Sequence, residues 1–94
     1  MAHILVRHKV KDFAMWRKIF QEHAAFRKQQ GSQGSRVLQN ADDPNDVAIL
    51  LDWDTMEKAR AFTESRNLIE TMERAGVTGP PEITFLHSAG SFSE

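Results

Sequence analysis

Even positions of residues 2–10 carry Ala2, Ile4, Val6, His8 and Val10, and odd positions carry His3, Leu5, Arg7 and Lys9. Alternation at period two marks a half-buried strand, so residues 2–10 are predicted as the first strand. Asp12 offers the side-chain oxygen that suits a helix N-cap. From Phe13 to about Gln29 the period lengthens. At about 100° per residue, Phe13, Trp16, Ile19, Phe20, His23, Ala24, Phe26 and Arg27 share one broad arc, with Arg17, Lys18, Gln21, Glu22 and Lys28 opposite. One amphipathic helix is predicted, ended by Gly31 and Gly34.

Ser35–Asn40 is the next strand, and Asp42-Asp43-Pro44-Asn45 is turn chemistry. Val47–Trp53, the most apolar run, closes a hairpin. Asp54 followed by Glu57 resembles a capping box and starts a second helix. Its apolar face is Met56, Ala59 and Phe62, whereas Leu68, Ile69, Met72 and Ala75 fall about 150° away on the same wheel. A straight helix cannot aim both sets at one core, so a break is expected at Ser65–Asn67, with Ser65 or Asn67 capping a short third helix. Gly76 ends it, Gly79-Pro80-Pro81 resets the chain direction, and Glu82–Ser88 is the last strand, with Ile83, Phe85 and His87 on one side. Residues 89–94 form a frayed tail. The order β-α-β-β-α(α)-β, with right-handed crossovers, predicts an α+β domain of ferredoxin-like βαββαβ type. Its four-stranded antiparallel sheet places the first strand between the third and fourth.

At 94 residues the chain makes one domain, residues 1–94. A chain of this size buries about 60–65% of its unfolded surface, and 40% hydrophobic residues can supply a core. The absence of cysteine removes disulfides and thiolate metal sites and agrees with a reducing, cytoplasmic location. Net charge is −1, which argues against a nucleic-acid partner, and no run approaches the length of a membrane helix or a signal-peptide core. The expected partners are a second copy of the chain and a small-molecule substrate, with no nucleic acid and no membrane. A sheet with helices on one face leaves the other bare, and here neither face is cleanly polar: Leu5, Ala48, Leu50 and Leu86 alternate with Ile4, Val6, Ile49, Leu51 and Phe85. An apolar bare face predicts a homodimer packed sheet to sheet.

The element order, Trp16 on the first helix, the stretch Leu50-Leu51-Asp52-Trp53-Asp54-Thr55 and the spacing Phe62, Ser65, Leu68, Met72 together resemble the dimeric α+β barrel superfamily, in its antibiotic-biosynthesis-monooxygenase-like branch. The resemblance spans about residues 2–88. It implies a scaffold used by cofactor-free oxygenases of aromatic polyketides, haem-degrading enzymes, small isomerases and cyclases. The haem-degrading relatives carry a Trp and a His on the second helical segment. Here that region offers Phe62 and Met72 and has no histidine between Asp54 and Ile83, so no haem or other cofactor is expected.

His23 is the candidate catalytic residue, because it lies near the centre of the first helix's buried arc, where a general base or hydrogen-bond donor would face a pocket between helix and sheet. Helix and strand rises place it near the start of the first strand, where His87 also arrives, so His23 and His87 are expected to line one cavity. Two histidines without a carboxylate do not make a metal site, and none is expected. Arg27 is a candidate for binding a substrate carboxylate or enolate, and Trp16 and Trp53 are candidate aromatic walls. His8 and Asp52 are expected near the carboxyl ends of neighbouring parallel strands, where a His–Asp couple would be open to them. The acidic turn lacks the glycine and the terminal glutamate of a calcium loop. Two readings follow. One is a cofactor-independent monooxygenase, isomerase or cyclase acting on an enolisable or aromatic substrate. The other is a non-catalytic ligand-binding or structural homodimer, favoured by a pocket well below about 300 Å³ or filled by Trp16 and Phe20.

Overall fold

The computed structural model describes residues 1–94 as β1 (Ala2–Val10), α1 (Phe13–Glu22), α2 (Ala24–Gln30), β2 (Ser32–Asn40), β3 (Asp43–Trp53), α3 (Met56–Thr63), α4 (Arg66–Arg74) and β4 (Val77–His87). The strands form one antiparallel sheet in the order β2-β3-β1-β4, the ferredoxin-like arrangement. As the alternation predicts, Ala2, Ile4, His8 and Val10 of β1 point to the helical side with Val47, Ile49, Leu51 and Trp53 of β3. Trp53, Ile4 and Val47 are the largest fully buried side chains, each contributing about 1.5–3 kcal/mol by leaving water.

Several details depart from the sequence reading, and the first is that β2 starts at Ser32 rather than Ser35, so that Gly34, expected to end the helix, pairs with Asp52 inside the strand. The single helix over 13–29 is two, joined at His23, whose φ of −83° and ψ of −4° leave the regular helical path. Arg27 Nη1 donates to the Phe20 carbonyl at 2.7 Å, and a side chain inserted at a helical carbonyl is a recognised cause of a break. The second helix begins on Thr55 rather than Asp54: Thr55 Oγ1 accepts from the Lys58 amide, while Asp54 accepts from the Thr55 amide and pairs with Lys58 Nζ at 3.0 Å. The expected break at Ser65 is present, and Ser65 Oγ caps α4 through the Leu68 amide.

In the hairpin, the turn is only Ala41-Asp42, so Pro44 and Asn45 lie within β3. Asn45 Oδ1 accepts from the Phe13 amide and so fixes the start of α1 against the strand. β4 likewise starts at Val77 rather than Glu82. It is an edge strand, where prolines are tolerated, and the pairing with β1 jumps from Arg7↔Glu82 to Lys9↔Thr78. Gly79, Pro80 and Pro81 bulge out across that jump. His8 is therefore left without a residue opposite it on β4.

The face away from the helices presents Leu5 paired with Leu50, and Leu38 paired with Ala48. Leu38 and Leu86 are 52% and 37% exposed, an apolar surface bordered by the ion pair Arg7–Asp46.

Candidate functional site

Between the helices and the sheet lies a cavity of about 60 Å³. Its floor is β1, β3 and β4 (Val6, His8, Ile49, Leu51, Ile83), one wall is α1–α2 and the other α3–α4. Eleven of the sixteen lining residues are hydrophobic, so a polar group here is held in a setting of lowered dielectric.

Trp16, His23 and Arg27 meet at this cavity, as expected. Trp16 is stacked with Phe20 at 4.9 Å and with Phe13 at 5.7 Å, giving the α1 wall a flat aromatic surface. His23 occupies the α1–α2 joint and stacks on Phe26 at 5.0 Å. Its Nε2 lies 2.6 Å from Asn67 Oδ1, and with that oxygen accepting, Nε2 carries the proton. Burial pushes His23 below the ordinary histidine range, with the neighbouring charges of Arg27 and Arg74 acting the same way against the Asn67 bond. The imidazole is thus neutral at pH 7. Arg27 is buried at 6% exposure, lies 3.7 Å from the Phe20 ring centroid and donates to the Phe20 carbonyl. Burial lowers its pKa to about 10, which still leaves it a cation at neutral pH.

Trp53 and His87 lie elsewhere. Trp53 is fully buried, donates from Nε1 to the Gln30 carbonyl at 3.1 Å and packs on Phe62 at 4.5 Å, so it anchors α2 and α3 to the sheet. His87 is exposed at the end of β4 opposite Ala2 and contributes nothing to the lining, so His23 and His87 do not share the cavity. The His8–Asp52 couple does not form, because β1 and β3 run antiparallel: His8 pairs with Val47, and Asp52 faces His3. Asp52 Oδ1 lies 2.7 Å from His3 Nδ1, and His3 Nε2 lies 2.9 Å from Ser88 Oγ. This chain of contacts sits on the open sheet face outside the apolar cavity. Nowhere do three or more His, Asp or Glu side chains converge as a metal site would need.

His8, expected only as a partner for Asp52, lies in the cavity instead. It is 7% exposed, packs edge-on to Trp16 at 5.8 Å and lines the cavity, yet neither ring nitrogen has a hydrogen-bond partner. Leaving such a group unsatisfied costs about 1–3 kcal/mol. Burial lowers its pKa, so it too is neutral at pH 7. The signal was in the alternation: His8 shares the even, core-facing side of β1 with Ile4, Val6 and Val10.

The sequence model of the family described as antibiotic biosynthesis monooxygenase matches residues 1–74. No curated protein sequence matches the chain. Among solved structures, SnoaB from Streptomyces nogalater, described as a cofactor-independent oxygenase, superposes with a TM-score of 0.79 at 18% identity, over 99% of this chain and 97% of that one. A conserved protein from Methanosarcina mazei Go1 superposes with a TM-score of 0.73 at 13% identity, over 94% of this chain and 92% of that one. At these identities the structural likeness speaks for the fold.

Proposed function

This chain belongs to the antibiotic biosynthesis monooxygenase family, and from that premise we propose that it is a small-molecule-binding domain acting as a cofactor-independent oxygenase on an enolisable or phenolic aromatic substrate. The observation that carries the reading is the helix–sheet cavity, an apolar space into which two neutral imidazoles and one buried guanidinium are placed. SnoaB, similar in fold, is described as a cofactor-independent oxygenase.

The chemistry asked of the protein is modest. A neutral histidine removes a proton from the substrate, and buried donors with the Arg27 cation nearby favour the resulting anion. An electron-rich carbanion or phenolate can itself reduce dioxygen. For an activated methylene, the net change is CH₂ plus O₂ to C=O plus H₂O, with the substrate as sole reductant. His23 is the proposed base, and Asn67 fixes its tautomer and orientation.

A cavity of about 60 Å³ holds roughly two water molecules, so an aromatic substrate requires it to enlarge. The α4 wall is the part suited to move. Thr71 is its only buried residue, Ile69 is 48% exposed, and its start is tied to the α1–α2 joint through Asn67. The same small volume, with Trp16 and Phe20 stacked across one wall, is the observation favouring the second reading, a non-catalytic ligand-binding or structural homodimer. In either case the Leu5, Leu50 and Leu86 face is the proposed dimer surface, and the lack of cysteine agrees with a cytoplasmic setting.

Oxygen uptake separates the two readings. A fused-ring phenol with an activated methylene, incubated with the protein and a chelator, should consume one O₂ per product. His23→Ala should slow turnover about 10²-fold or more, the usual contribution of a positioned base. Turnover unchanged in His23→Ala removes His23 as the base, and no uptake with any such substrate removes the oxygenase reading.

A further inference from the structure

The open face of the sheet carries a second cluster that the cavity does not use. Asp52 Oδ1 lies 2.7 Å from His3 Nδ1, and His3 Nε2 lies 2.9 Å from Ser88 Oγ. The sheet register brings the three together. His3 pairs with Asp52 across β1 and β3, and Ser88 follows His87, which pairs with Ala2 at the end of β4. A carboxylate only accepts hydrogen bonds, so Nδ1 carries the ring proton. In the neutral ring Nε2 is then an acceptor, and the Ser88 hydroxyl donates to it. Carboxylate to imidazole to hydroxyl is the order of contacts by which a hydrolytic serine is recognised on unrelated folds. His3 and Asp52 are half-buried and Ser88 is exposed, so the nucleophile is the outermost of the three. Gly34, beside Asp52 on β2, leaves open space there, since a Cβ on it would meet nothing within 4 Å.

We propose that Ser88, His3 and Asp52 form a second, hydrolytic site, and that it takes neutral aryl esters of small acyl groups. Ser88 Oγ attacks the ester carbonyl carbon as its proton passes to His3 Nε2. The bond from that carbon to the aryl oxygen breaks, the aryl oxygen leaves with the proton as a phenol, and the acyl group stays on Ser88. Water then gives a proton to His3 and its oxygen to the acyl carbon, and the acid departs as the serine recovers its proton. The balance is ester plus water to acid plus phenol, with no further reactant. Asp52 positions the ring and favours the imidazolium formed in each step. Three features set the substrate. The amides of Ala89 and Gly90, past the last paired residue, donate to no carbonyl of the chain and are free to meet the oxyanion. They lie beyond the sheet rather than in a rigid element, so the leaving group must itself be good, as a phenolate is and an alkoxide is not. Phe92, 85% exposed with its ring folded back against Gly90, offers an aromatic surface to the aryl group, and the charge of Asp52 disfavours an anionic ester. The site is separate from the helix–sheet cavity and does not depend on what the cavity does.

The test incubates the full chain with p-nitrophenyl acetate, follows nitrophenolate release, and locates acetyl groups by peptide mass spectrometry after an acid quench. The wild type should release nitrophenolate at least about tenfold faster than Ser88→Ala or His3→Gln, and its acetyl group should be found on Ser88. Asp52→Asn should lower kcat about tenfold with KM held within about twofold, and Asp52→Glu should recover part of the loss, a split that a merely structural carboxylate does not give. Equal release by the wild type and Ser88→Ala overturns the proposal, because imidazole or lysine side chains are then reacting directly. Wild-type release by His3→Gln, or an unchanged kcat in Asp52→Asn, overturns the relay. Ser88 is exposed beyond the end of β4, so Ser88→Ala should keep the wild-type denaturation midpoint. Should another variant fail to fold, the acetyl position in the wild type decides, and acetyl on lysine or histidine with none on Ser88 overturns the site.

Discussion

His8 and His23 share a cause, burial without a counter-charge, and that cause has a measurable consequence. Each titrates in the folded chain below the roughly 6.5 of an unfolded histidine. Below that value the unfolded state binds more protons, so stability falls as pH drops from about 6.5 toward the folded values and is fully present above it. Ligand-free protein should therefore lose stability on mild acidification, well above the range where Asp46, held down to about 2 by Arg7, begins to matter. His8→Leu should flatten part of this slope in denaturant titrations at pH 5 and pH 7.5. An unchanged slope would mean that His8 is reached by water in solution. Arg27 acts at this scale too, since its bond to the Phe20 carbonyl both breaks the helix and withdraws the cation from simple anion binding.

Among elements, the tight points are where glycine is required rather than tolerated. Gly31, between α2 and β2, has a φ of +122°, and a Cβ there would lie 2.5 Å from Asp54 Oδ1 and 2.8 Å from Trp53 Nε1. Gly31→Ala should destabilise the fold by about 1–3 kcal/mol, seen as a lower denaturation midpoint at constant slope, and by more than Gly34→Ala, whose Cβ meets nothing within 4 Å. Equal midpoints would show that the α2–β2 junction gives way. Period and capping made most elements legible: β1 and the break at Ser65 follow from alternation and from two apolar faces that disagree. Strand ends were harder to read. Asp43–Val47 and Val77–Pro81 are polar or proline-bearing, and sheet pairing overrode their turn chemistry. The break at His23 was hidden because a side-chain bond to a backbone carbonyl leaves no mark on a hydrophobic pattern. In the candidate site, Trp16, His23 and Arg27 were readable from one helical stripe. Placing Trp53 and His87 needed the phase of two strands relative to that stripe, which alternation within each strand does not provide.

For the whole molecule, the sheet has a working side and a bare side. The bare side carries Leu5 against Leu50, with Leu38 and Leu86 exposed, and this is the surface on which a second copy is proposed to pack. Sedimentation at micromolar concentration should give twice the 10.7 kDa chain mass, with Leu50→Lys shifting it toward one chain; a wild-type mass of one chain would contradict the dimer. Pairing through the bare face would leave the cavity, on the other side of the sheet, to each copy. The central claim is that this cavity turns a phenolic substrate's own electrons onto dioxygen with no cofactor. Reaction under ¹⁸O₂ in the presence of a chelator tests it most directly. The account predicts one labelled oxygen in the product for each O₂ consumed, and product whose new oxygen comes from water, or no product at all, would contradict it.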